Sequence, residues 1–363
     1  MNSSTKKTLT STAGVIAAVA FVALAILGLG IYTLVDHLTK DTSQFDLADV
    51  SSPTGIVKYI EDNTLSLREY ADCFPASTES AKTELIAVSQ KQESVRNVLA
   101  ICTDEQNGNV IADMMLVVSF NSETGEVRIL PLGGDTYVPI DGHGWDKLCT
   151  TVAYGGPELA VNTVNRVFDL DIAQYAVIAK KDVLAFFEQI APLDVEMNVR
   201  QAEIFANYFG WDCHPGINTM DAEQLAAMVS FRDYIDGATV NGEVTIVDDI
   251  DRMENIKMVA RAVFRSLYKL DFNTIGATLD VVWNDLDTNC DLGTIKSGVQ
   301  TMMASTDDER LNLTASSLPS LNAPTYVLVQ PEGYEQPAVA TLYNYAVLRV
   351  QINKLLYGAS ENN

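Results

Sequence analysis

The chain has few basic residues for its length, and this shortage excludes one class of function at the outset. Its 363 residues include 24 Lys and Arg against 48 Asp and Glu, a formal net charge of −24 at pH 7. A protein this acidic repels nucleic acid phosphates, so nucleic acid is excluded as a partner. With 47% hydrophobic and 20% charged residues, the chain is nevertheless a folded protein with a large core.

Cysteine and histidine are also scarce, and neither forms a pattern typical of a catalytic or metal centre. The five cysteines are an odd number without C-x-x-C spacing, so they cannot form a complete disulfide framework, and their pairing stays open. Cys102 and Cys149 lie in apolar or turn settings typical of buried small side chains. The three histidines lack metal-ligand spacing. The segment DLDTNCD (285–291) lacks the turn glycine of a calcium loop.

A long apolar segment near the N-terminus predicts a single transmembrane helix. Residues 13–35 form 23 consecutive positions without a charge, enough at about 1.5 Å per residue to cross a hydrocarbon core of about 30 Å. A cleaved signal peptide is the alternative, but its apolar region usually spans only about 7–15 residues. Lys6 and Lys7 precede the segment, which predicts a cytoplasmic N-terminus and an extracellular C-terminal domain at the cell membrane.

The rest of the chain alternates strand-like and helical patterns, which predicts an α/β domain built in layers. Short apolar or alternating runs typical of strands lie at 95–102, 114–120, 126–132 and 174–179. Helical spacing is found at 158–170, 181–190, 221–235 and 252–270. The glycine-rich turn at 154–158 could receive an anion at a helix N-terminus, or simply connect a strand to a helix.

These patterns divide the chain into five parts. We assign a cytoplasmic N-terminus (1–12), the transmembrane helix (13–35), a juxtamembrane spacer with helices (36–90), the α/β domain (91–312), and a C-terminal tail with a strand and a helix (313–363).

Five segments agree in order and spacing with one known family. They are NVLAICTD, IADMMLVVSFNSETGEVRIL, GGDTYVPIDGHGWDKL, AYGGPELAVNTVNRVFDLDIAQYAVI and DIDRMENI. Together they resemble the LytR-CpsA-Psr family of cell envelope proteins. The resemblance implies a three-layer α-β-α domain with a central mixed sheet, whose cleft binds a polyprenyl pyrophosphate. It also implies metal-assisted transfer of glycopolymers, such as teichoic acid or capsule, from the lipid carrier to peptidoglycan.

Carried over residue by residue, the resemblance implies a combined metal and phosphate site. Its members would be Asp104 and Asp113 for Mg²⁺, Asp135 and Arg252 for catalysis, and Lys147, Arg232, Asp249 and Arg252 for substrate binding. Carboxylate oxygens suit a hard cation, and Arg or Lys suits phosphate. The alternative is structural: Asp135 could cap its turn, and Lys147 or Arg252 could be solvated surface charges.

Four arginines and a glutamine of the family pattern are absent from this chain. Ile111, Gly134 and Ser230 occupy three of the arginine positions, and Asn255 and Ile256 replace an Arg-Gln pair. Phosphoryl transfer depends on cations that neutralise charge on the phosphate oxygens, and one well-placed arginine can contribute roughly 10³ to 10⁵ in rate. The replacements therefore predict impaired transfer.

Three hypotheses for the function follow. The favoured one is a pseudoenzyme of envelope assembly that keeps the fold and the anchor and acts in binding or scaffolding. Its partners would be a polyprenyl phosphate or pyrophosphate lipid and a cell wall glycopolymer or peptidoglycan. The alternative is an active glycopolymer phosphotransferase with a divergent cleft. A membrane-anchored sensor is the third, without DNA contact because the domain is acidic and extracellular.

The membrane topology can be tested on sealed protoplasts. We expect protease added to protoplasts to remove the C-terminal domain while the cells stay sealed, because only residues 1–12 would face the cytoplasm. Immunoblotting with an antibody against the C-terminal domain measures the loss. Full protection of that domain would contradict a single pass in this orientation.

Overall fold

The computed structural model describes residues 84–106, 108–231, 234–240, 244–247, 250–267, 286–290, 313–316, 318–321, 325–329 and 338–358. The predicted transmembrane segment, Arg232 and Asp249 lie outside these ranges. No helix within them is long and apolar enough to cross a membrane.

Strands and helices alternate along the described chain. The strands are β1 (Val95–Gln106), β2 (Asn109–Asn121), β3 (Glu126–Leu132), β4 (Tyr137–Ile140), β5 (Gly144–Lys147), β6 (Gln174–Ala179), β7 (Leu193–Met197), β8 (Gly216–Met220), β9 (Tyr234–Val240), β10 (Val244–Val247), β11 (Asp287–Thr288), β12 (Leu313–Ala315), β13 (Thr325–Val329) and β14 (Ala338–Leu342). The helices are α1 (Thr151–Phe168), α2 (Lys180–Ile190), α3 (Val199–Phe209), α4 (Ala222–Ser230), α5 (Ile250–Leu267), α6 (Leu318–Leu321) and α7 (Tyr345–Tyr357).

A mixed sheet of six strands forms the centre, in the order β11-β6-β1-β2-β3-β12. Strand β2 runs antiparallel to both of its neighbours, β1 and β3, whereas β6 runs parallel to β1 and β12 runs parallel to β3. Side chains of successive residues point to opposite faces of a strand. In β1, Val98 and Ala100 therefore belong to one buried cluster, and Leu99 and Ile101 belong to the other.

Helices cover both faces of this sheet, as predicted. Residues of α2, α3, α4 and α5 share the first cluster with the sheet, and residues of α1 and α7 share the second. The mixed α/β fold is therefore confirmed. Strand β12 joins the central sheet and residues of α7 belong to the second cluster, so these two parts of the predicted C-terminal tail pack with the sheet.

A β-bulge in β2 positions Asp113, one of the predicted metal ligands. Cys102 pairs with Met114 and Thr103 pairs with Ala112, so Asp113 is the extra residue between them. A bulge bends its strand and turns the extra side chain out of the regular alternation. The sequence predicts a strand only from Met114, because Asp113 interrupts the apolar residues on either side of it.

The predicted helix at 221–235 is shorter than expected. Helix α4 begins with a capping box, in which Asp221 and Gln224 satisfy each other's backbone amides. It ends at Ser230, and Phe231 already has extended backbone angles. The next residues form β9, which pairs with β10 in a hairpin. Pairing with a neighbouring strand therefore overrides the helical spacing of the apolar residues.

The glycine-rich turn at 154–158 lies inside α1 and breaks it. Gly155 and Gly156 have non-helical angles, and Gly156 has a φ of 70°, which favours glycine. A Cβ on Gly155 would come within 2.8 Å of the Leu159 side chain. The turn therefore joins two helical segments, and the prediction that it connects a strand to a helix is wrong.

The carboxylate of Asp171 fixes α7 to the sheet, and this contact can be tested. Its Oδ1 atom accepts hydrogen bonds from Asn97 Nδ2 at 2.7 Å and from the Tyr357 hydroxyl. Because a hydrogen bond to a charged group stabilises by about 1.5–3 kcal/mol, we expect Tyr357→Phe to lower the free energy of unfolding by that amount in urea titrations. Val350→Ala on the same helix is the control, because Val350 is 66% exposed. Equal losses for both variants would contradict the anchoring role.

Candidate functional site

Arg252 and Asp113 form a buried ion pair where α5 meets the bulge of β2. The Arg252 Nη2 atom lies 2.7 Å from Asp113 Oδ2 and also donates to the Asp113 carbonyl oxygen at 3.2 Å. Its Nε atom donates to the carbonyl oxygen of Val229 at the end of α4. The side chains of Arg252 and Asp113 are only 2% and 5% exposed. Arg252 is therefore not the solvated surface charge that the sequence left open.

Lys180, a residue that the sequence analysis missed, pairs with Asp104. Its Nζ atom lies 3.0 Å from Asp104 Oδ2. Burial lowers the pKa of the Lys180 ammonium, Arg252 lowers it further, and the charges of Asp113 and Asp104 oppose that shift. The register between β1 and β6 is the signal that would have predicted this pair. Because Thr103 lies beside Ala179 in parallel strands, the next residues, Asp104 and Lys180, come together.

Cys102 lies beneath these charges and is buried. Burial raises the pKa of its thiol well above the ordinary value, and the nearby Asp113 carboxylate raises it further. A thiol held in its neutral form is a poor nucleophile. Cys102 therefore packs as a small apolar side chain, as predicted from its setting in the sequence.

A third ion pair joins Asp135 to Lys147 across the start of the β4–β5 hairpin. Lys147 Nζ lies 2.7 Å from Asp135 Oδ1, and the two side chains are 14% and 9% exposed. The backbone of Asp135 is held as well, because its carbonyl oxygen accepts from Thr341 N at 2.8 Å. The neighbouring Asp146 accepts a hydrogen bond from the Tyr154 hydroxyl at 2.6 Å. The Asp135 carboxylate thus accepts a hydrogen bond from the Lys147 ammonium.

The residues at the predicted arginine positions are neutral and mostly buried. Gly134 faces the bulge, since a Cβ on it would lie 3.6 Å from the carbonyl oxygen of Asp113 and 3.3 Å from Cys149 Cβ. Ile111 is 7% exposed and Ser230 is 8% exposed. Asn255 is fully buried, and within the described residues neither its amide atoms nor the Ser230 hydroxyl has a hydrogen-bond partner.

The structure therefore brings most of the predicted site together in one region. Gly134 adjoins Asp113, Asp113 binds Arg252, and Asp104 lies on the strand next to the bulge. Two other predicted substrate-binding residues, Arg232 and Asp249, lie outside the described residues.

Comparison with known proteins identifies the fold and its relatives. The LytR_cpsA_psr family profile matches residues 68–336, which is more than half of the chain. The chain belongs to the LytR_cpsA_psr family. The sequence-based resemblance is therefore confirmed.

Two relatives carry the same enzymatic name. The chain is 26% identical over 253 residues to the polyisoprenyl-teichoic acid–peptidoglycan teichoic acid transferase TagU of Oceanobacillus iheyensis, covering 67% of this chain and 73% of that protein. It is 25% identical over 202 residues to TagT of Bacillus subtilis, a transferase of the same description, covering 49% of this chain and 61% of TagT. A more distant relative, the regulatory protein MsrR of Staphylococcus aureus, is 23% identical over 143 residues, or 39% of this chain and 43% of MsrR.

Solved structures support the fold assignment. Bacillus subtilis TagV aligns with a TM-score of 0.52 at 13% identity, covering 74% of this chain and all of TagV. The protein gbs0355 from Streptococcus agalactiae aligns with a TM-score of 0.53 at 16% identity, covering 76% and 94% of the two chains. At these identities the likeness shows a shared fold and nothing more.

The two carboxylates predicted to hold Mg²⁺ are each paired with a cation of the protein. Mg²⁺ requires near-octahedral oxygen ligands at about 2.0–2.1 Å, usually one or two carboxylates together with water and phosphate. Among the described residues, no group of three or more His, Cys, Asp or Glu side chains could hold a metal ion. With Lys180 and Arg252 in place, this donor set does not fit a divalent cation.

Because the ion pair at the bulge is more buried, we expect an Asp→Asn substitution to lower the free energy of unfolding more at Asp113 than at Asp104. We expect Asp113→Asn to destabilise the protein by about 3–5 kcal/mol, because it leaves the Arg252 charge buried without its carboxylate. The matched control is Asp104→Asn, which we expect to cost about 1 kcal/mol or less because Asp104 is more exposed. Thermal and urea unfolding measure both. A loss for Asp104→Asn as large as that for Asp113→Asn would contradict the difference in burial.

Proposed function

We propose that this chain is a divergent LytR_cpsA_psr protein of the cell envelope, anchored in the membrane by residues 13–35, that binds or scaffolds rather than transfers. One observation carries the proposal. Each of the three cations in the described part of the candidate site is held by an aspartate: Arg252 by Asp113, Lys180 by Asp104, and Lys147 by Asp135.

The charge balance of these pairs opposes tight binding of a pyrophosphate. Three carboxylates and three protein cations sum to zero, whereas a polyprenyl pyrophosphate carries several negative charges. A phosphate could recruit Arg252 only by separating it from Asp113, and separating a buried ion pair leaves an uncompensated charge in a low-dielectric region. Charge-assisted hydrogen bonds to phosphate are about twice as strong as neutral ones. The cationic groups that would donate them already bind aspartates of the protein.

The neutral replacements remove the remaining positive charge. An arginine at Gly134 or Ser230 would offer five donors and a fixed charge in a geometry that matches phosphate. Gly134 has no side chain, and Ser230 offers only a neutral hydroxyl. Asn255 provides an amide with no partner in the described part of the chain, which can donate to an oxygen but carries no charge. The transition state of phosphoryl transfer therefore loses most of its electrostatic stabilisation.

The proposed partners follow from the names of the relatives. TagU and TagT are named for moving teichoic acid from a polyisoprenyl carrier to peptidoglycan. We infer that this chain meets the same classes of molecule, a polyprenyl-linked glycopolymer or peptidoglycan, and that it holds the lipid pyrophosphate only weakly. Its charge of −24 excludes nucleic acid as a partner.

An active glycopolymer phosphotransferase is the second candidate. The observation that favours it is that Arg252 binds Asp113 and that Gly134 lies beside Asp113. The family resemblance implies that these three positions belong to one site. If a bound substrate separated the ion pairs, Arg252 and Lys147 would be the phosphate ligands and Asp135 would be free for the chemical step. The two candidates differ in turnover, which can be measured directly.

Restoring two arginines tests the impaired-transfer proposal. We expect the wild-type chain to transfer or hydrolyse a polyprenyl pyrophosphate far more slowly than TagT assayed alongside it. The double variant Gly134→Arg, Ser230→Arg should bind a phosphate analogue more tightly, since each charge-assisted contact adds about 1.5–3 kcal/mol before losses to geometry. Cys149 must move slightly to admit a side chain at Gly134.

A size-matched control separates charge from packing in that test. The variant Gly134→Met, Ser230→Met adds comparable length without charge, so its affinity for the phosphate analogue should stay at the wild-type value. The gain of the arginine variant should also shrink at high salt where the new contacts reach solvent. Turnover by the wild-type chain equal to that of TagT would overturn the proposal and favour the active transferase.

A further inference from the structure

Lys180 brings a cation to the Asp104 carboxylate, where the carboxyl ends of the parallel strands β1 and β6 lie side by side. It is the first residue of α2, directly after β6, and β6 lies beside β1, which carries Asp104. The ammonium lies 3.0 Å from Asp104 Oδ2, and its side chain is 11% exposed. Asp113, on the other neighbour of β1, acts on the same ammonium electrostatically.

We propose that the Lys180 ammonium is the resident cation of this site and replaces the divalent metal that the family resemblance assigns to Asp104 and Asp113. The inference deepens the proposed function because it concerns the same site. It concerns cation binding alone, and it can therefore be tested without measuring phosphotransfer.

The geometry explains why lysine and a metal would compete. The ammonium donates to an oxygen of Asp104, one of the two carboxylates that the metal would need, while Arg252 already binds Asp113 Oδ2. A divalent cation entering beside them would face the charges of Lys180 and Arg252, whose side chains are only 11% and 2% exposed. Charge repulsion is strong in such a setting, because the effective dielectric constant is low. The described carboxylates are thus neutralised without a metal.

Replacement of a metal by lysine also changes what the site can do. An ammonium carries one charge and donates hydrogen bonds through three protons. A magnesium ion carries two charges and can bridge two phosphate oxygens while polarising them. Lys180 can therefore hold a single oxygen of a phosphate, but it cannot polarise two oxygens as a metal does. This limit agrees with weak binding and slow transfer.

Manganese titration of the full chain in detergent tests the inference, with free Mn²⁺ followed by electron paramagnetic resonance. We expect no binding to the wild-type chain and none to Lys180→Arg, which keeps the charge. Lys180→Met removes the charge at similar length and frees Asp104, so its affinity for Mn²⁺ should exceed that of the wild-type chain by at least about tenfold. Adding Asp104→Asn to Lys180→Met should abolish that binding.

Two results would overturn the inference. One is Mn²⁺ binding by the wild-type chain as tight as that by Lys180→Met, because Lys180 would then not exclude a metal. The other is absence of binding by a folded Lys180→Met, because the carboxylates would then not be a metal position at all. If thermal unfolding shows that Lys180→Met does not fold, Lys180→Gln takes its place with the same expectations. Neither result depends on turnover, so failure of the proposed function would be seen separately.

Discussion

The buried ion pair between Arg252 and Asp113 is the interaction on which the rest of the candidate site depends. It joins the first turn of α5 to the bulge of β2 and, through the Arg252 contact with the Val229 carbonyl oxygen, to the end of α4. Neither charge is tolerable in the interior without the other, because removing one partner leaves an uncompensated buried charge. The pair therefore fixes both the position of the helix and the charge state of the site.

As a consequence, the positive and negative charges of the candidate site neutralise each other. Lys180 and Lys147 repeat the pattern with Asp104 and Asp135. A phosphate-transferring site needs positive charge that is available to the substrate, whereas here the carboxylates compete for it. The chain thus has the fold of the LytR_cpsA_psr family, while neutral residues, Ile111, Gly134, Ser230 and Asn255, occupy the four positions at which the resemblance implies arginine.

Much of the fold was predictable because apolar periodicity reports burial directly. The strands at 126–132 and 174–179 have the predicted bounds, since both lie in the central sheet. The bulge at Asp113 and the early end of α4 at Ser230 were not predictable in this way, because both depend on how one strand pairs with its neighbour and not on the spacing of apolar residues. Lys180 was missed for the same reason: only the register of β6 against β1 brings it to Asp104.

The central claim is that aspartates of the protein neutralise the cations of the site. Native mass spectrometry of the full chain, purified in detergent from its own cells, tests this claim most directly when TagT is treated identically. If the three cations are bound by the three aspartates, the chain should be released without a bound polyprenyl pyrophosphate, while TagT, which is named as a transferase of polyisoprenyl-linked teichoic acid, should retain one. A stoichiometric polyprenyl pyrophosphate on this chain, held as firmly as on TagT, would contradict the claim that its charges are neutralised within the protein.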